Sequence, residues 1–342
     1  MTVDSVGSFR IKNFRRVEDN SSKQMISVII PTYRRDDDLS ECLDSLLLQT
    51  TLPDEVIIID NANWDSTKEI VASKRSEIGN INWIYIRNGE HNSPTVARNI
   101  GIQASFGTHL FFLDDDVVLE QDFIEKILDV FRTYPSAVGV QGFVTNKRYP
   151  LFVNQFLQHF YLTHAEKDRN RLLPSVQNVY AIPLTKIIEC SWLMSGCTCY
   201  TKKILNEFRF DEKLLRYSSG DDSDLSYRIY NKYPGTLFQT PYARLIHKVS
   251  SIGRSPSELV IRMGQVYSLY LFYKNFGKTR REIVIFVWSR FGLLFVNIGL
   301  FVIHPSKESA LHIWHYLQSY KFCLEHRAQI KQGDIDFFTK DL

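Results

Sequence analysis

The stretch HLFFLDDDVV, residues 109–118, begins with His109, which a run of bulky apolar residues follows. A continuous apolar run of this length predicts a β-strand buried on both faces, as in the middle of a parallel sheet. The strand ends in three consecutive carboxylates, Asp114, Asp115 and Asp116. Because successive side chains of a strand point to opposite faces, Asp114 and Asp116 should share one side and Asp115 the other.

Three adjacent carboxylates at the end of an apolar strand repel one another, and the arrangement has two interpretations. A divalent cation would neutralise the charges, and carboxylate oxygens are ligands that suit Mg²⁺ or Mn²⁺. The alternative is a solvated acidic turn that simply follows the strand.

Around this strand, short apolar runs alternate with amphipathic segments. Strands are predicted at 26–30, 56–59, 83–86, 109–113, 137–144, 197–201 and 236–246, and helices at 39–47, 66–74, 95–104, 121–131 and 222–230. This alternation is typical of βαβ units and predicts an α/β fold, with a mostly parallel sheet flanked by helices. Ligands of such sheets bind beyond the carboxyl ends of the strands, where we expect the functional site.

Composition sets the class of protein. The 342 residues, 44% hydrophobic and 23% charged, suffice for one large α/β domain and a further segment. A net charge of +3 gives no reason to expect a nucleic acid partner. Five sparse cysteines favour a reducing, cytosolic setting. We predict a polar lead-in at 1–24 without a secretory signal, a main domain at 25–255 with a variable insertion at 145–190, and a helical segment at 256–342.

The ends of the first two strands carry candidate nucleoside contacts. The first turn lacks the glycine patterns of dinucleotide and P-loop sites, so a phosphate ligand would need a cation. Asp60 could accept the imide N–H of uracil or thymine, and Thr32 and Tyr33 could contact the same base or its ribose. A turn or helix-capping role for Asp60 is the alternative.

A second acidic group, Asp221, Asp222 and Asp224, opens a predicted helix. Capping explains part of it, but three acids in four residues exceed capping needs, so one could accept a proton from a hydroxyl. His247 follows the last predicted strand and could be a metal ligand, although a lone histidine there is usually structural. Lys248 and Arg254 would suit a diphosphate.

Six motifs in order resemble the family 2 glycosyltransferases of GT-A fold over roughly residues 25–255. They are PTYRR (31–35), VIIIDNA (56–62), ARNIGI (97–102), FFLDDDV (111–117), GDDSDLSYR (220–228) and HKVSSIGR (247–254). The resemblance implies an inverting enzyme that uses a nucleotide-diphospho-sugar donor, with UDP- or dTDP-sugars favoured, and a divalent metal, Mn²⁺ or Mg²⁺.

The resemblance also implies roles for individual residues. Asp222 matches the usual catalytic base, and Asp116, with Asp114 and His247, matches the metal site. Donor binding falls on the following residues: Pro31, Thr32, Tyr33, Arg34, Asp60, Arg98, Asp114, Asp115, Lys248 and Arg254. Two features depart from the family pattern. Asp221-Asp222 replaces Glu-Asp, which leaves open which acid is the base, and the segment 208–212 lacks the usual preceding glycines.

The C-terminal segment predicts contact with a membrane surface. Residues 283–303 are long and apolar enough to span a bilayer, but Arg290 and Asn297 interrupt them. A central arginine costs roughly 2.5–3.5 kcal/mol on insertion scales, which disfavours a span. Basic residues precede the stretch, which favours peripheral attachment to an anionic surface. The alternative is packing on the main domain or in a homo-oligomer interface.

These predictions combine into a transferase that acts on a glycan or lipid-linked acceptor in cell-surface polysaccharide assembly, in the cytoplasm at the inner face of the plasma membrane. One alternative is a sugar nucleotidyltransferase, which should carry a glycine- and basic-rich loop that is absent near Pro31. The other is a catalytically silent sugar-nucleotide-binding subunit of a membrane assembly. The presence of the candidate base Asp222 and of His247 disfavours this alternative.

Overall fold

The computed structural model describes residues 24–62, 64–77, 80–89, 93–147, 170–181, 183–216, 220–250 and 256–339. Its strands are β1 (Ile26–Thr32), β2 (Glu55–Asp60), β3 (Asn82–Arg87), β4 (His109–Leu113), β5 (Val117–Leu119), β6 (Gly139–Val144), β7 (Arg171–Leu172), β8 (Asn178–Val179), β9 (Ile188–Glu189), β10 (Cys197–Thr201) and β11 (Leu237–His247). Its helices are α1 (Asp36–Leu47), α2 (Asp65–Glu77), α3 (Pro94–Ala104), α4 (Phe123–Thr133), α5 (Lys202–Glu207), α6 (Asp221–Lys232), α7 (Ser257–Asn275), α8 (Arg280–Ile303), α9 (Lys307–Glu325), α10 (Arg327–Lys331) and α11 (Asp336–Thr339).

One sheet of nine strands forms the centre, in the order β3-β2-β1-β4-β10-β6-β11-β5, with β9 paired to β11. The pairs β1–β2, β2–β3, β1–β4 and β6–β11 are parallel, whereas β10 is antiparallel to both β4 and β6. The predicted α/β fold with a mostly parallel sheet is confirmed. The sequence pattern did not show that β10 enters between β4 and β6 in the opposite direction.

The strand directions explain where the functional residues meet. β1, β2, β4, β6 and β11 run the same way, because the two antiparallel pairings of β10 cancel. Their carboxyl ends therefore lie at one edge of the sheet, together with the start of β10. Thr32, Asp60, the aspartates after Leu113, and His247 all reach this edge.

β4 is buried on both faces, as the apolar run predicts. Phe111 and Leu113 belong to the core beneath α1 and α4, while Leu110 and Phe112 belong to the core beneath α3, α5 and α6. Phe111 and Phe112 are both fully buried. Truncating either to alanine should cost about 3–5 kcal/mol. The rigid sheet holds the end of β4, and with it the aspartates, in a fixed position.

The C-terminal helices pack on the main domain and on each other. Met263 and Tyr267 of α7 form one core with Leu214 and with Cys323 of α9. Phe286 of α8 stacks on Phe272 of α7, with ring centroids 4.3 Å apart. Among the described helices, α8 is long and apolar enough to cross a bilayer, judged by length and composition alone.

Candidate functional site

Asp114, Asp116 and His247 form a cluster at the carboxyl edge of the sheet. One potential ligand atom of each side chain lies within 4.8 Å of those of the other two. Asp114 directly follows β4, and His247 ends β11, where its register partner on β5 is Val117. This pairing sets His247 beside Asp116 in the turn between β4 and β5. The alternation of side chains predicted that Asp114 and Asp116 share a side, and the geometry confirms it.

Backbone donors and basic side chains hold Asp116 in place. The N–H of Ser250 donates to Asp116 Oδ2 at 2.9 Å, and the N–H of Lys248 donates to the Asp116 carbonyl at 2.9 Å. His247 Nε2 lies 3.0 Å from Asp116 Oδ1. Burial opposes ionisation of Asp116, but His247, Ser250 and Arg35 outweigh it and lower its pKa. The contact with Asp116 raises the pKa of His247.

The cluster fits a divalent cation. Asp116 Oδ1 is buried, and no described donor reaches it with the geometry of a hydrogen bond. This oxygen faces a second carboxylate and an imidazole nitrogen. Mn²⁺ binds both oxygen and nitrogen ligands, whereas Mg²⁺ would use the carboxylate oxygens. The other two potential ligands, Asp114 and His247, lie at the ends of different strands, β4 and β11.

Asp115 points away from this cluster and holds the first turn. Its carboxylate accepts hydrogen bonds from Thr32 Oγ1 at 2.8 Å and from Arg35 Nη1 at 2.9 Å. Burial raises the pKa of Asp115 to about 6. Arg35, which also lies 3.5 Å from Asp116, was missed as a site residue from sequence. The sequence feature that could have identified Arg35 is its position in the motif PTYRR, next to the predicted Arg34.

Gly196 allows β10 to start against the acidic cluster. A Cβ at this position would lie 2.2 Å from Asp114 Oδ2, closer than any side chain permits. The Gly196 carbonyl also accepts the backbone N–H of Asp114 at 3.3 Å. The strand predicted at 197–201 begins directly after this contact.

Arg98 joins the two acidic groups of the sequence. Its Nη2 lies 3.0 Å from Asp114 Oδ1, and its Nη1 lies 2.6 Å from Asp221 Oδ2. The guanidinium is buried, and Asp221 and Asp114 raise its pKa although burial opposes them. Arg98 was predicted beside a nucleoside. The contact that the structure shows is a bridge, which brings the start of α6 next to the end of β4.

Asp221 and Asp222 differ in how they are engaged. Asp221 is buried, and Arg98 occupies its Oδ2. Asp222 is half-buried, and its Oδ1 accepts from the N–H of Ser223 at 2.6 Å. No described residue donates a hydrogen bond to Asp222 Oδ2. Burial raises the pKa of both carboxyl groups, that of Asp221 to about 7, so each holds a proton more readily than a free aspartate does.

The residues predicted to bind the nucleoside lie together at the ends of β1 and β2. Thr32 and Asp60 are register partners. The Asp60 carboxylate accepts from the N–H of Ala62 at 2.8 Å and from the hydroxyl of Tyr85 at 2.7 Å, which is the turn role weighed for it. Arg34 follows Pro31 and Tyr33 in the same turn, where its guanidinium lies 5.1 Å from the centre of the Tyr33 ring. Nucleoside contacts for this group stay a prediction.

The two basic residues predicted for a diphosphate have different outcomes. Lys248 Nζ lies 2.7 Å from Asp38 and 2.6 Å from Glu41, so its charge is already paired with α1. Arg254 lies outside the described residues. Both diphosphate roles stay predictions.

Comparisons with known proteins agree with this geometry. Residues 27–192 match the model of the family "Glycosyl transferase family 2". The chain is 26% identical over 207 residues to the glycosyltransferase GlyA of Streptococcus pneumoniae, covering 60% of this chain and 28% of GlyA. It is 35% identical over 108 residues to the glycosyltransferase AglE of Haloferax volcanii, covering 31% of this chain and 35% of AglE. The chain thus spans roughly a third or less of the length of these two relatives.

A solved structure shows a similar fold. The mannosyltransferase PcManGT from Pyrobaculum calidifontis, in complex with GDP-Man and Mn²⁺, superposes with a TM-score of 0.55 at 15% identity, over 92% of this chain and 85% of that one. The sheet order, the acidic cluster at its carboxyl edge, the family match and the curated relatives converge. Over residues 27–192 the chain is thus similar to the family 2 glycosyltransferases, and its fold is the GT-A fold.

Proposed function

We propose that the chain is an inverting, metal-dependent glycosyltransferase that moves a sugar from a nucleotide-diphospho-sugar to a hydroxyl group of a glycan or lipid-linked acceptor. UDP- and dTDP-sugars are the favoured donors, because Asp60 ends β2 beside Thr32, where its carboxylate could accept a pyrimidine imide N–H in addition to its turn hydrogen bonds. One observation carries the proposal. Arg98 pairs with Asp114 and Asp221 at once, which supports a site in which the proposed metal ligands and the neighbouring candidate base, Asp222, act together.

The residues divide into a donor side and an acceptor side. Asp114, Asp116 and His247 would hold Mn²⁺ or Mg²⁺, which when bound neutralises charge on the departing diphosphate. The structurally similar mannosyltransferase contains Mn²⁺ with its GDP-Man. Arg98 keeps the two sides at a fixed separation, because its two nitrogens contact one carboxylate of each.

Asp222 is the base in this proposal. Its Oδ2 takes the proton of the acceptor hydroxyl while that oxygen bonds to the anomeric carbon and the bond from this carbon to the diphosphate breaks. Asp221 is less suited, because Arg98 already occupies it. The raised pKa of Asp222 makes it a stronger proton acceptor than a free aspartate.

A panel of nucleotide sugars tests the donor assignment. UDP-, dTDP- and GDP-sugars are added to the full chain with Mn²⁺, with Mg²⁺ or with EDTA, and the thermal midpoint is measured. The proposal expects stabilisation by a pyrimidine donor that requires the metal. Stabilisation by no nucleotide sugar under any of these conditions would contradict it. Hydrolysis of the stabilising donor in the absence of an acceptor separates an enzyme from a silent binding subunit.

We further propose that α8 and α9 lie on an anionic bilayer surface, at the cytoplasmic face of the plasma membrane. One side of α8 carries an apolar stripe that recurs about once per helical turn, formed by Val284, Val287, Trp288, Phe291, Phe295, Ile298 and Val302. These side chains are exposed, Val284 at 66% and Val302 at 71%. Leu311 and Trp314 of α9 are also exposed.

Arg290, the charged residue within the apolar sequence of α8, points toward the rest of the protein and not to the side that carries the apolar stripe. Arg290 Nη2 donates to the Ser175 carbonyl at 2.7 Å, and the Tyr320 hydroxyl donates to the Arg290 carbonyl at 2.8 Å. A spanning helix would have to leave these contacts, so the geometry favours a helix in the plane of the surface. Lys278, Arg280 and Arg281 are exposed at its beginning and would face anionic headgroups, at about 1 kcal/mol each.

A further inference from the structure

A cleft of about 350 Å³ opens beside the proposed metal site, and none of the roles above uses it. Its lining comes from the end of β6, the turn after it, the segment before β10 and the residues around His247: Val144, Asn146, Lys147, Met194, His247 and Val249. Polar and apolar groups alternate along this wall. A second, narrower cavity adjoins it, and Lys147 lines both.

Lys147 is the unusual member of this wall. Its ammonium nitrogen lies 3.2 Å from the centre of the Tyr180 ring. Burial lowers the pKa of Lys147 to about 8, with Cys197 and Asp222 opposing the shift. Tyr180 follows closely after Asn178, whose Oδ1 accepts a hydrogen bond from the hydroxyl of Ser223, the neighbour of Asp222, at 2.9 Å. Lys147 thus lines the same cleft as the proposed metal ligand His247, and its aromatic partner belongs to a segment that contacts the start of α6.

The other cations of the site are paired with carboxylates. Arg35 contacts Asp115, Arg98 contacts Asp114, and Lys248 contacts Asp38. Across the described ranges, no carboxylate lies within ion-pair distance of Lys147 Nζ. A partly buried ammonium with only an aromatic face as partner loses hydration that an anionic ligand would replace. The cleft that it lines is open to receive one.

We propose that Lys147 forms a subsite for an anionic group of the substrate, a carboxylate or a phosphate, carried next to the reacting centre. This inference rests on the proposed glycosyl transfer and adds to it the chemical class of one substrate. The anion could belong to the acceptor or to a uronic acid sugar of the donor. In either case the ammonium would donate a charge-assisted hydrogen bond to it, and the Tyr180 ring would fix the lysine from the other side.

The test compares anions with a neutral sugar on the full chain. Inorganic phosphate, glucuronate and glucose are titrated with and without UDP and Mn²⁺, and binding is followed by thermal shift. We expect the two anions to bind and glucose not to, and Lys147→Met to weaken the anions about ten- to hundredfold. Lys147→Arg should retain binding. Lys186→Met removes a charge from an exposed lysine of the same region and should change nothing.

Two results would overturn the subsite. One is equal anion binding by the wild-type chain and Lys147→Met. The other is a tenfold loss of UDP affinity in Lys147→Met, because the lysine would then serve the leaving diphosphate. Failure of the proposed function is a different result, namely no metal-dependent nucleotide binding by the wild-type chain.

A donor pair locates the anion. A preference for UDP-glucuronate over UDP-glucose that disappears in Lys147→Met would support the subsite and assign its anion to the donor sugar. Protection by phosphate and glucuronate without such a preference would support it and assign the anion to the acceptor.

Discussion

Lys274 Nζ lies 2.9 Å from Asp224 Oδ2, which ties α7 of the C-terminal segment to the helix that carries Asp221 and Asp222. Asp224 is fully buried, and it also accepts a hydrogen bond from Asn275 at 3.0 Å. The same ammonium reaches Asp211 at 2.6 Å. The C-terminal helices are therefore joined to the proposed catalytic helix through ion pairs around the buried Asp224 as well as through apolar packing.

Lys274→Met should destabilise the chain. The substitution leaves the buried Asp224 with fewer compensating donors, which should cost about 1.5–3 kcal/mol of unfolding free energy. Urea unfolding followed by tryptophan fluorescence measures this difference. Lys321→Met is the matched control, because Lys321 is exposed and lies 3.8 Å from Glu325, and its effect should stay within about 0.5 kcal/mol. Equal stability of the two variants would contradict the role assigned to the ion pairs around Asp224.

Because the pKa of Asp211 is lowered in the folded chain, we expect the chain to lose unfolding free energy in acid. Burial opposes its ionisation, but Lys274 and Tyr270 outweigh burial and lower its pKa below the ordinary value of 3.8. Because the folded-state pKa is the lower one, the contribution of Asp211 is complete above the unfolded value and disappears as the pH falls through the folded value. The stability difference between the wild-type chain and Asp211→Asn should shrink steadily below about pH 4. A difference that stays constant from neutral pH into this range would show that the carboxylate charge is not involved.

Asp222→Asn should abolish transfer and spare nucleotide binding. Removing a general base typically costs 10²–10⁴ in rate, about the range we expect for kcat. Calorimetry with UDP and Mn²⁺ should give a Kd close to that of the wild-type chain. Asp221→Asn is the comparison, since it removes the partner of Arg98 and should lower the thermal midpoint as well as activity. If Asp222→Asn turned over like the wild-type chain, the base would have to be sought elsewhere.

Asp116→Ala should remove the dependence of donor binding on metal. The side chain contributes to the proposed cation site, and its loss leaves His247 and Asp114 as an incomplete ligand set. Calorimetric titration of Mn²⁺, and of UDP with and without Mn²⁺, measures the change. Asp65→Ala removes an exposed carboxylate that pairs with Arg87 and should leave both titrations unchanged. Unaltered Mn²⁺ affinity in Asp116→Ala would place the metal at other ligands.

Phe291→Glu combined with Phe295→Glu should detach the chain from vesicles. Both side chains are more than half exposed on the apolar stripe of α8, so carboxylates there would oppose insertion among headgroups and acyl chains. Co-sedimentation with vesicles of anionic and zwitterionic lipid measures binding, which should be stronger to the anionic ones. Leu48→Glu, at an exposed apolar position after α1, is the control. Self-association of the wild-type chain without vesicle binding, lost in the double variant, would show that a second copy covers α8.

Local sequence patterns determined the elements of this protein and the positions of most site residues. The apolar run of β4 and the alternation of its aspartates follow from a period of two, which needs no knowledge of the rest of the chain. The polar residues at the carboxyl ends of the predicted strands indicate that Thr32, Asp60 and the aspartates lie at one edge of the sheet. This prediction does not require knowledge of their partners. The helix of the second acidic group was equally clear from its spacing.

The way these elements face one another follows from contacts between segments that are distant in the chain. The insertion of β10 between β4 and β6, which brings Gly196 against Asp114, depends on strand pairing between distant segments. The bridge by Arg98, the ion pair of Arg35 with Asp115, and the cleft position of Lys147 arise in the same way. Arg290 points into the protein, where it contacts Ser175, and a hydropathy profile does not show this orientation. The outer face of α8 is therefore apolar. Sequence periodicity fixes which face a side chain takes, whereas its partner depends on contacts between residues far apart in the chain.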